Sequence, residues 1–230
     1  MLLAEGPNVV AEVHAAGATI HEVLHTPEAL ENESVRRLVD TLTGEGVEIE
    51  SLSEAEFAEF ATTVTPTGIL AVVDLPRRGL AGLDGERLLV LDAVQDPGNV
   101  GTLIRAAEVL GADAVVLLPG TADPWSPKVT RAAAGATFRI PLIRCGLAEL
   151  RGWCEERGLP MFAAAADGEP APRAGSPVTA ALVVGNESAG VSPAARAASD
   201  RVVAIRQKGA TESLNVAVAG AILMDRFFGG

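Results

Sequence analysis

Gly209-Ala210-Thr211-Glu212-Ser213-Leu214-Asn215-Val216-Ala217-Val218-Ala219-Gly220 runs from a polar loop straight into a helix of small and branched apolar residues. The loop offers a carboxylate, a hydroxyl and an amide within four residues, and Val216 to Met224 reads as a buried helix. The start of such a helix presents free backbone N–H groups and the positive end of the helix dipole, which suits a polar ligand. Polar groups at the mouth of a buried helix point to a binding site. Taken alone, Ser213-x-Asn215 is equally an ordinary capping pair, so the surrounding sequence has to decide.

Upstream of it, apolar runs at 88–91, 114–118, 138–143, 160–165, 181–184 and 202–205 read as strands. They alternate with helical segments at 99–110, 126–134, 147–157, 193–198 and 214–228. Apolar strands alternating with helices predict a parallel sheet covered on both faces, with ligands taken at the C-terminal ends of the strands. The first 75 residues read as a smaller α/β unit. Helices are expected at 8–16, 28–40 and 54–60, and strands at 19–25, 47–51 and 68–73. Pro76, Arg78, Gly79 and Gly85 then crowd proline, glycine and charge together, a linker signal. The expected division is 1–76, a linker at 77–86, and 87–230.

The chain has 230 residues, 48% hydrophobic and 21% charged, enough to bury a core and too apolar to be disordered. No run of about 18 apolar residues is present, which excludes a membrane-spanning helix, and the acidic start does not read as a signal peptide. Cys145 and Cys154 are the only cysteines. They predict buried or half-buried thiols and a reducing, cytoplasmic setting rather than a disulfide framework. The net charge of −12 is concentrated early: residues 1–79 carry 14 acidic and 4 basic side chains, whereas 80–230 carry 16 and 14. Such a chain is not a promiscuous nucleic-acid binder, and any RNA function must rely on a local basic patch in the second part.

Three further stretches carry chemistry or imitate it. His21-Glu22-Val23-Leu24-His25 matches the zinc-protease pattern, but that pattern works only on a helix. In a strand its histidines stand about 13 Å apart, so no metal site is expected. Asp92-Ala93-Val94-Gln95-Asp96-Pro97-Gly98-Asn99 turns from a strand into a helix, with Asn99 the expected N-cap. Arg105 on that helix must find an anion or water. Val184-Gly185-Asn186-Glu187-Ser188-Ala189-Gly190 ends a buried strand in a turn bracketed by glycines; by itself it is a tight turn.

In order, Asn99…Arg105, Gly185-Asn186-Glu187…Gly190 and Gly209-x-x-Glu212-Ser213-Leu214-Asn215 resemble the three motifs of the SpoU (TrmH-like) family of the SPOUT superfamily, which are RNA ribose 2′-O-methyltransferases. Asp123-Pro124-x-Ser126-Pro127-Lys128…Arg131…Gly135 also resembles that family. The start of the chain, through Glu5-Gly6-Pro7-Asn8, resembles the L30e-like substrate-binding domain found before it. The resemblance implies an α/β fold whose C-terminal domain holds a deep trefoil knot. It also implies S-adenosylmethionine as cofactor, structured RNA as substrate (ribosomal rather than transfer RNA), and a homodimer without metal or membrane. By motif position, Val184, Gly185, Asn186, Glu187, Gly190, Ile205, Gly209, Ser213 and Leu214 would hold the cofactor. Arg105, Asn99, Glu187, Ser213 and Asn215 would form the catalytic polar set, with Arg105 acting across the dimer interface. Arg206-Gln207 stand where the family usually has Pro-Met. Two other readings compete. One is an inactive RNA-binding protein on the same scaffold. The other is a different nucleotide-binding enzyme, which the missing strand-linked G-x-G-x-x-G opposes.

Overall fold

A computed structural model describes residues 1–61, 66–76, 78–172, 178–206 and 214–229. The chain separates into two compact units, 1–76 and 77–230. The first contains β1 (Leu2–Glu5), α1 (Pro7–Ala15), β2 (Ile20–His25), a 3-10 turn (Glu28–Glu31), α2 (Glu33–Gly44), β3 (Glu48–Ser51), α3 (Glu54–Phe60) and β4 (Ile69–Val73). Its sheet runs β1-β4-β2-β3, with β2 and β3 parallel and β4 antiparallel to both β1 and β2. Val10 and Val13 of α1 and Val35, Val39 and Leu42 of α2 are buried, and Phe57 of α3 packs with Leu24, Leu52 and Leu70. The continuous helix expected at 28–40 is interrupted. Asn32 accepts the Ser34 N–H at 2.9 Å and caps α2 afresh, because Asn stabilises a helix start better than a helix interior. The His21/His25 pair lies on β2, where His21 Nε2 meets Asp74 at 2.9 Å and His25 Nδ1 meets the Thr26 carbonyl at 3.0 Å. Among the described residues no group of three His, Cys, Asp or Glu is arranged to hold a metal.

The second unit contains β5 (Arg87–Asp92), α4 (Pro97–Val109), β6 (Ala114–Leu117), α5 (Pro127–Ala133), α6 (Ala136–Arg139) and β7 (Leu142–Arg144). It continues with α7 (Leu147–Arg157), β8 (Met161–Pro170), β9 (Ala180–Gly185), α8 (Pro193–Ala198), β10 (Arg201–Ala204) and α9 (Val216–Phe228). All six strands are parallel, in the order β10-β8-β9-β5-β6-β7. The two-residue alternation of β5 sorts its side chains between two cores. Leu89 and Leu91 join Val100, Leu103, Ile104, Leu223 and Phe227 on one face, while Leu88 and Val90 join Leu150, Trp153 and Met161 on the other. Each fully buried leucine of this kind stabilises the fold by roughly 1.5–3 kcal/mol. Residues 78–86 pack on this unit: Leu80 is buried, and Trp153 Nε1 donates to its carbonyl at 3.0 Å.

Two expectations are corrected. The segment 138–143 is not one strand, because α6 runs to Arg139, whose guanidinium binds Glu108 of α4, and only Leu142 onward enters the sheet. β8 extends through Asp167-Gly168-Glu169-Pro170, beyond the strand expected to end at 165, because past a bulge it pairs with β10 at the sheet edge. There Gly168 lets the strands close: a Cβ would stand 2.7 Å from the Val202 and Val203 backbone.

α4 is held on two sides. A Cβ on Gly101 would lie 2.5 Å from Ala132 Cβ and 2.6 Å from the Val129 carbonyl, so α5 packs at glycine distance. On its other side Leu103 fills the space over Gly220 of α9. α9 buries Ala217, Leu223, Met224 and Phe227 but leaves Val218 48% exposed, so it is buried on one face only.

Candidate active site

The strand order reverses between β5 and β9: β5 leads through α4 to β6 on one side, and β9 leads through α8 to β10 on the other. A crevice opens at the C-terminal ends of such a strand pair, where open parallel sheets take their ligands. Here Asp92 and Gly185 are paired, and the two loops that follow them meet. Asn186 N–H donates to the Gly190 carbonyl, and Gly190 N–H to that of Asn186, both at 2.9 Å, which folds the second loop back on itself. Asn186 Oδ1 accepts the N–H groups of Ser188 and Ala189 at 3.0 Å. Its Nδ2 donates to the Ala93 carbonyl at 3.0 Å. Ala93 has φ 55°, a left-handed conformation uncommon for a residue with a Cβ. Asn186 thus fastens a strained corner of the first loop to the second.

A chain of amides links the three motif regions, and its direction follows from one end. Asn215 caps α9: its Oδ1 accepts from Ala217 N–H at 2.8 Å and Val218 N–H at 3.3 Å. With the oxygen committed to the helix, Nδ2 must donate, and it does so to Asn99 Oδ1 at 3.0 Å. Asn99 Nδ2 is then left to donate, and it meets Glu187 Oε1 at 3.0 Å. Glu187 also accepts from Asp96 N–H at 3.1 Å and Gln95 N–H at 3.3 Å. Each of these groups donates to Glu187, which favours its ionised form. Asn99 is not the cap of α4, as expected from sequence. Asp96 is, accepting the Asn99 N–H at 2.9 Å. Displaced to the third helical position, Asn99 has its side chain free for the other two motifs.

Burial pushes the Glu187 carboxyl up, but the hydrogen bonds from Asn99, its own backbone, Asp96 and Gln95 outweigh it and hold it below its ordinary 4.5. A depressed carboxylate contributes stability above its unfolded value that is lost as pH falls through the folded one. Glu187→Gln should therefore be less stable than the parent at neutral pH, and the difference should shrink below pH about 4.5. Urea unfolding at a series of pH values measures this; a pH-independent difference would mean that the carboxylate's charge plays no part.

The remaining expected site residues fall as follows. Val184 and Gly185 end β9 and are buried, Asn186 is half-buried, and Gly190 closes the exposed turn. Ile205 follows β10 and is half-buried, and Leu214 is 42% exposed just before α9. Gly209 and Ser213 lie outside the described residues. Arg105 is exposed on α4, in a stripe with Thr102 and Val109, and has no hydrogen-bond or ion-pair partner among the described residues. It does not join the amide chain. Asp92, assigned no role from sequence, is buried and accepts Ser192 N–H at 2.6 Å, tying the far side of the second loop to the end of β5. The signal available was a carboxylate closing an otherwise apolar strand. Cys145 and Cys154 are free thiols, half-buried and buried, and burial pushes both up to about 11, which makes them poor nucleophiles.

Comparisons with known proteins match both units. The model of the SpoU rRNA methylase family matches residues 86–225, and that of the RNA 2′-O ribose methyltransferase substrate-binding domain matches 3–78. The chain belongs to the SpoU rRNA methylase family. It is 38% identical to the Bacillus subtilis 23S rRNA (guanosine(2553)-2′-O)-methyltransferase RlmP, over 96% of this chain and 86% of that protein. Among solved structures, a protein of the TrmH family from Porphyromonas gingivalis superposes with a TM-score of 0.82 at 33% identity, covering 98% of this chain and 88% of that one. An AdoMet-bound rRNA methyltransferase from Sinorhizobium meliloti gives 0.82 at 25% identity, covering 97% and 85%.

Proposed function

We propose that this chain is a homodimeric, cytoplasmic S-adenosylmethionine-dependent enzyme that methylates a ribose 2′-hydroxyl of ribosomal RNA. The observation that carries the reading is the amide chain Asn215–Asn99–Glu187, which joins three sequence-distant motifs at the switch point of the sheet. Family membership and the named activity of the RlmP relative support it.

The residues beside the crevice suit the cofactor. A Cβ on Gly190 would meet nothing within 4 Å, so there is room beside the loop backbone. Half-buried Ile205 and exposed Leu214 offer apolar surface for an adenine. Val184, Gly185, Asn186, Glu187 and Gly190, with Gly209 and Ser213, make up the rest of this binding set. When bound, the cofactor supplies a methyl group already activated by its sulfonium.

The protein's task is then alignment and charge stabilisation. Arg105 stays protonated and cannot serve as a base. Its guanidinium stabilises the developing 2′-alkoxide and the adjacent phosphate, while the proton leaves to phosphate or water. Glu187 and Asn215 fix Asn99 and the first turn of α4, and Ser213 completes the polar set. Because Arg105 is exposed and outside the amide chain, it serves the crevice of the second subunit. Val109, Leu214 and Val218, at 72%, 42% and 48% exposure, supply apolar surface on α4, on α9 and just before it for that dimer. Residues 1–76, L30e-like, present the RNA, and 87–230 catalyse, with a trefoil knot closing the cofactor turn; the expected linker at 77–86 packs on the second unit. No helix among the described residues is long and apolar enough to cross a membrane.

Calorimetric titration with S-adenosylmethionine and methyl transfer to 23S rRNA transcripts, with the modified ribose mapped by resistance to alkaline hydrolysis, test the proposal. Binding followed by one modified ribose is expected. No binding at millimolar cofactor would leave an inactive scaffold, and transfer confined to tRNA would overturn the substrate.

A further inference from the structure

An acidic protein that acts on RNA must escape its own charge somewhere. In the second unit five arginines are neutralised: Arg87, Arg139, Arg144, Arg151 and Arg196 each hold a carboxylate. Lys128 and Arg131 of α5 are exposed and, among the described residues, hold nothing. They stand one helical turn apart, on the solvent side of a helix whose Val129 and Ala132 press against Gly101 of α4. Gly101 is itself one turn before Arg105 on α4, which is equally exposed and unpaired.

A second observation is independent of pairing. Lys128 sits in the first turn of α5, where the helix dipole disfavours a cation and favours Asp or Glu. That turn holds no acidic residue to offset the lysine. A partner bearing negative charge accounts for both the unpaired pair on α5 and the lysine at its helix start.

We propose that Lys128 and Arg131 are positioning residues that bind successive backbone phosphates of the RNA beside the modified nucleotide. The inference rests on the RNA methyltransferase reading above and adds to it where the strand runs: out of the crevice and along α5. Among the other described cations without a carboxylate, Arg157 lies over the Trp153 ring at 4.2 Å, Arg78 precedes β5 and Arg206 follows the C-terminal end of β10. Arg226 lies in the last turn of α9, which its helix dipole favours, and Arg201 opens β10, at the end of the sheet away from the crevice.

The test is the double variant Lys128→Gln/Arg131→Gln, beside the parent and Arg201→Gln, in methyl transfer to an rRNA fragment and in RNA binding across salt concentrations. For the double variant we expect unchanged S-adenosylmethionine affinity and kcat, and a KM for RNA raised about tenfold. The log–log salt slope should be shallower by about 0.7 for each phosphate of a single strand that is no longer neutralised. Arg201→Gln should match the parent. An unchanged KM and salt slope in the double variant, or an equal effect from Arg201→Gln, overturns the phosphate-binding role while leaving the enzyme reading intact. A parent that neither binds the cofactor nor modifies RNA overturns the enzyme reading itself. Should the double variant unfold, Lys128→Arg/Arg131→Lys preserves both charges and must restore the parental salt slope, or the proposal fails.

Discussion

Replacing Arg105 by alanine is expected to lower methyl transfer by about 10²–10³-fold, the usual consequence of removing one preorganised group that stabilises transition-state charge. S-adenosylmethionine affinity should change little, because Arg105 makes no hydrogen bond to the crevice loops among the described residues. The helix should persist as well, since the side chain is exposed and alanine is a strong helix former. Single-turnover transfer at saturating RNA, paired with cofactor titration, separates the two effects. A variant that loses cofactor binding would show that Arg105 shapes the pocket instead. Mixing Arg105→Ala subunits with subunits defective in the cofactor loop tests the dimer assignment: activity recovered in the mixture means that the arginine works across the interface.

The second large effect concerns Gly185. A Cβ there would stand 2.1 Å from the Gly190 carbonyl carbon and from Val191 N, both backbone atoms of the loop that doubles back over it. Side chains can turn aside; this backbone is pinned by the paired hydrogen bonds of Asn186 and Gly190 and by Ser192 on Asp92. Gly185→Ala should therefore destabilise the protein by about 3 kcal/mol, the upper end for overpacking, and misplace Glu187. Urea unfolding and cofactor titration should both register the loss. Parental stability with parental binding would mean that the loop yields, and the account of its rigidity would be wrong.

Much of the fold was legible because burial imposes a period. The continuous apolar runs of β5, β6 and β9 announce strands covered on both faces. The misreadings have particular causes. Asp96 and Asn99 are both good caps three residues apart, and propensity does not choose between them. Only the presence of Glu187, 88 residues on, makes Asn99 more useful inside the first turn. Phe138 and Ile140 favour strand, yet Arg139 finds Glu108 from a helical turn, and tertiary pairing overrides propensity. β1 was missed because four residues at a chain end give too little period to read; it is recognisable only by its pairing with β4. The crevice itself was beyond local reading. That loops 93–96 and 186–190 meet follows from β5 and β9 being neighbours, a matter of strand order.

The same neighbourhood governs when the site comes into being. Leu88 pairs with Ala181, so the central strands are brought together only after roughly ninety residues of intervening chain have been made and arranged. Pairings this distant in sequence slow folding, because loop closure is opposed by entropy before any pairing rewards it. During synthesis β5, α4 and β6 can form early, but Asn99 has neither Glu187 nor Asn215 to bind until nearly the whole chain has emerged. A chain ending before residue 215 would hold all six strands and the Asn99–Glu187 bond, but not the Asn215 link that fastens Asn99 to the last helix. Competence for ligand is thus a late event in the life of each molecule.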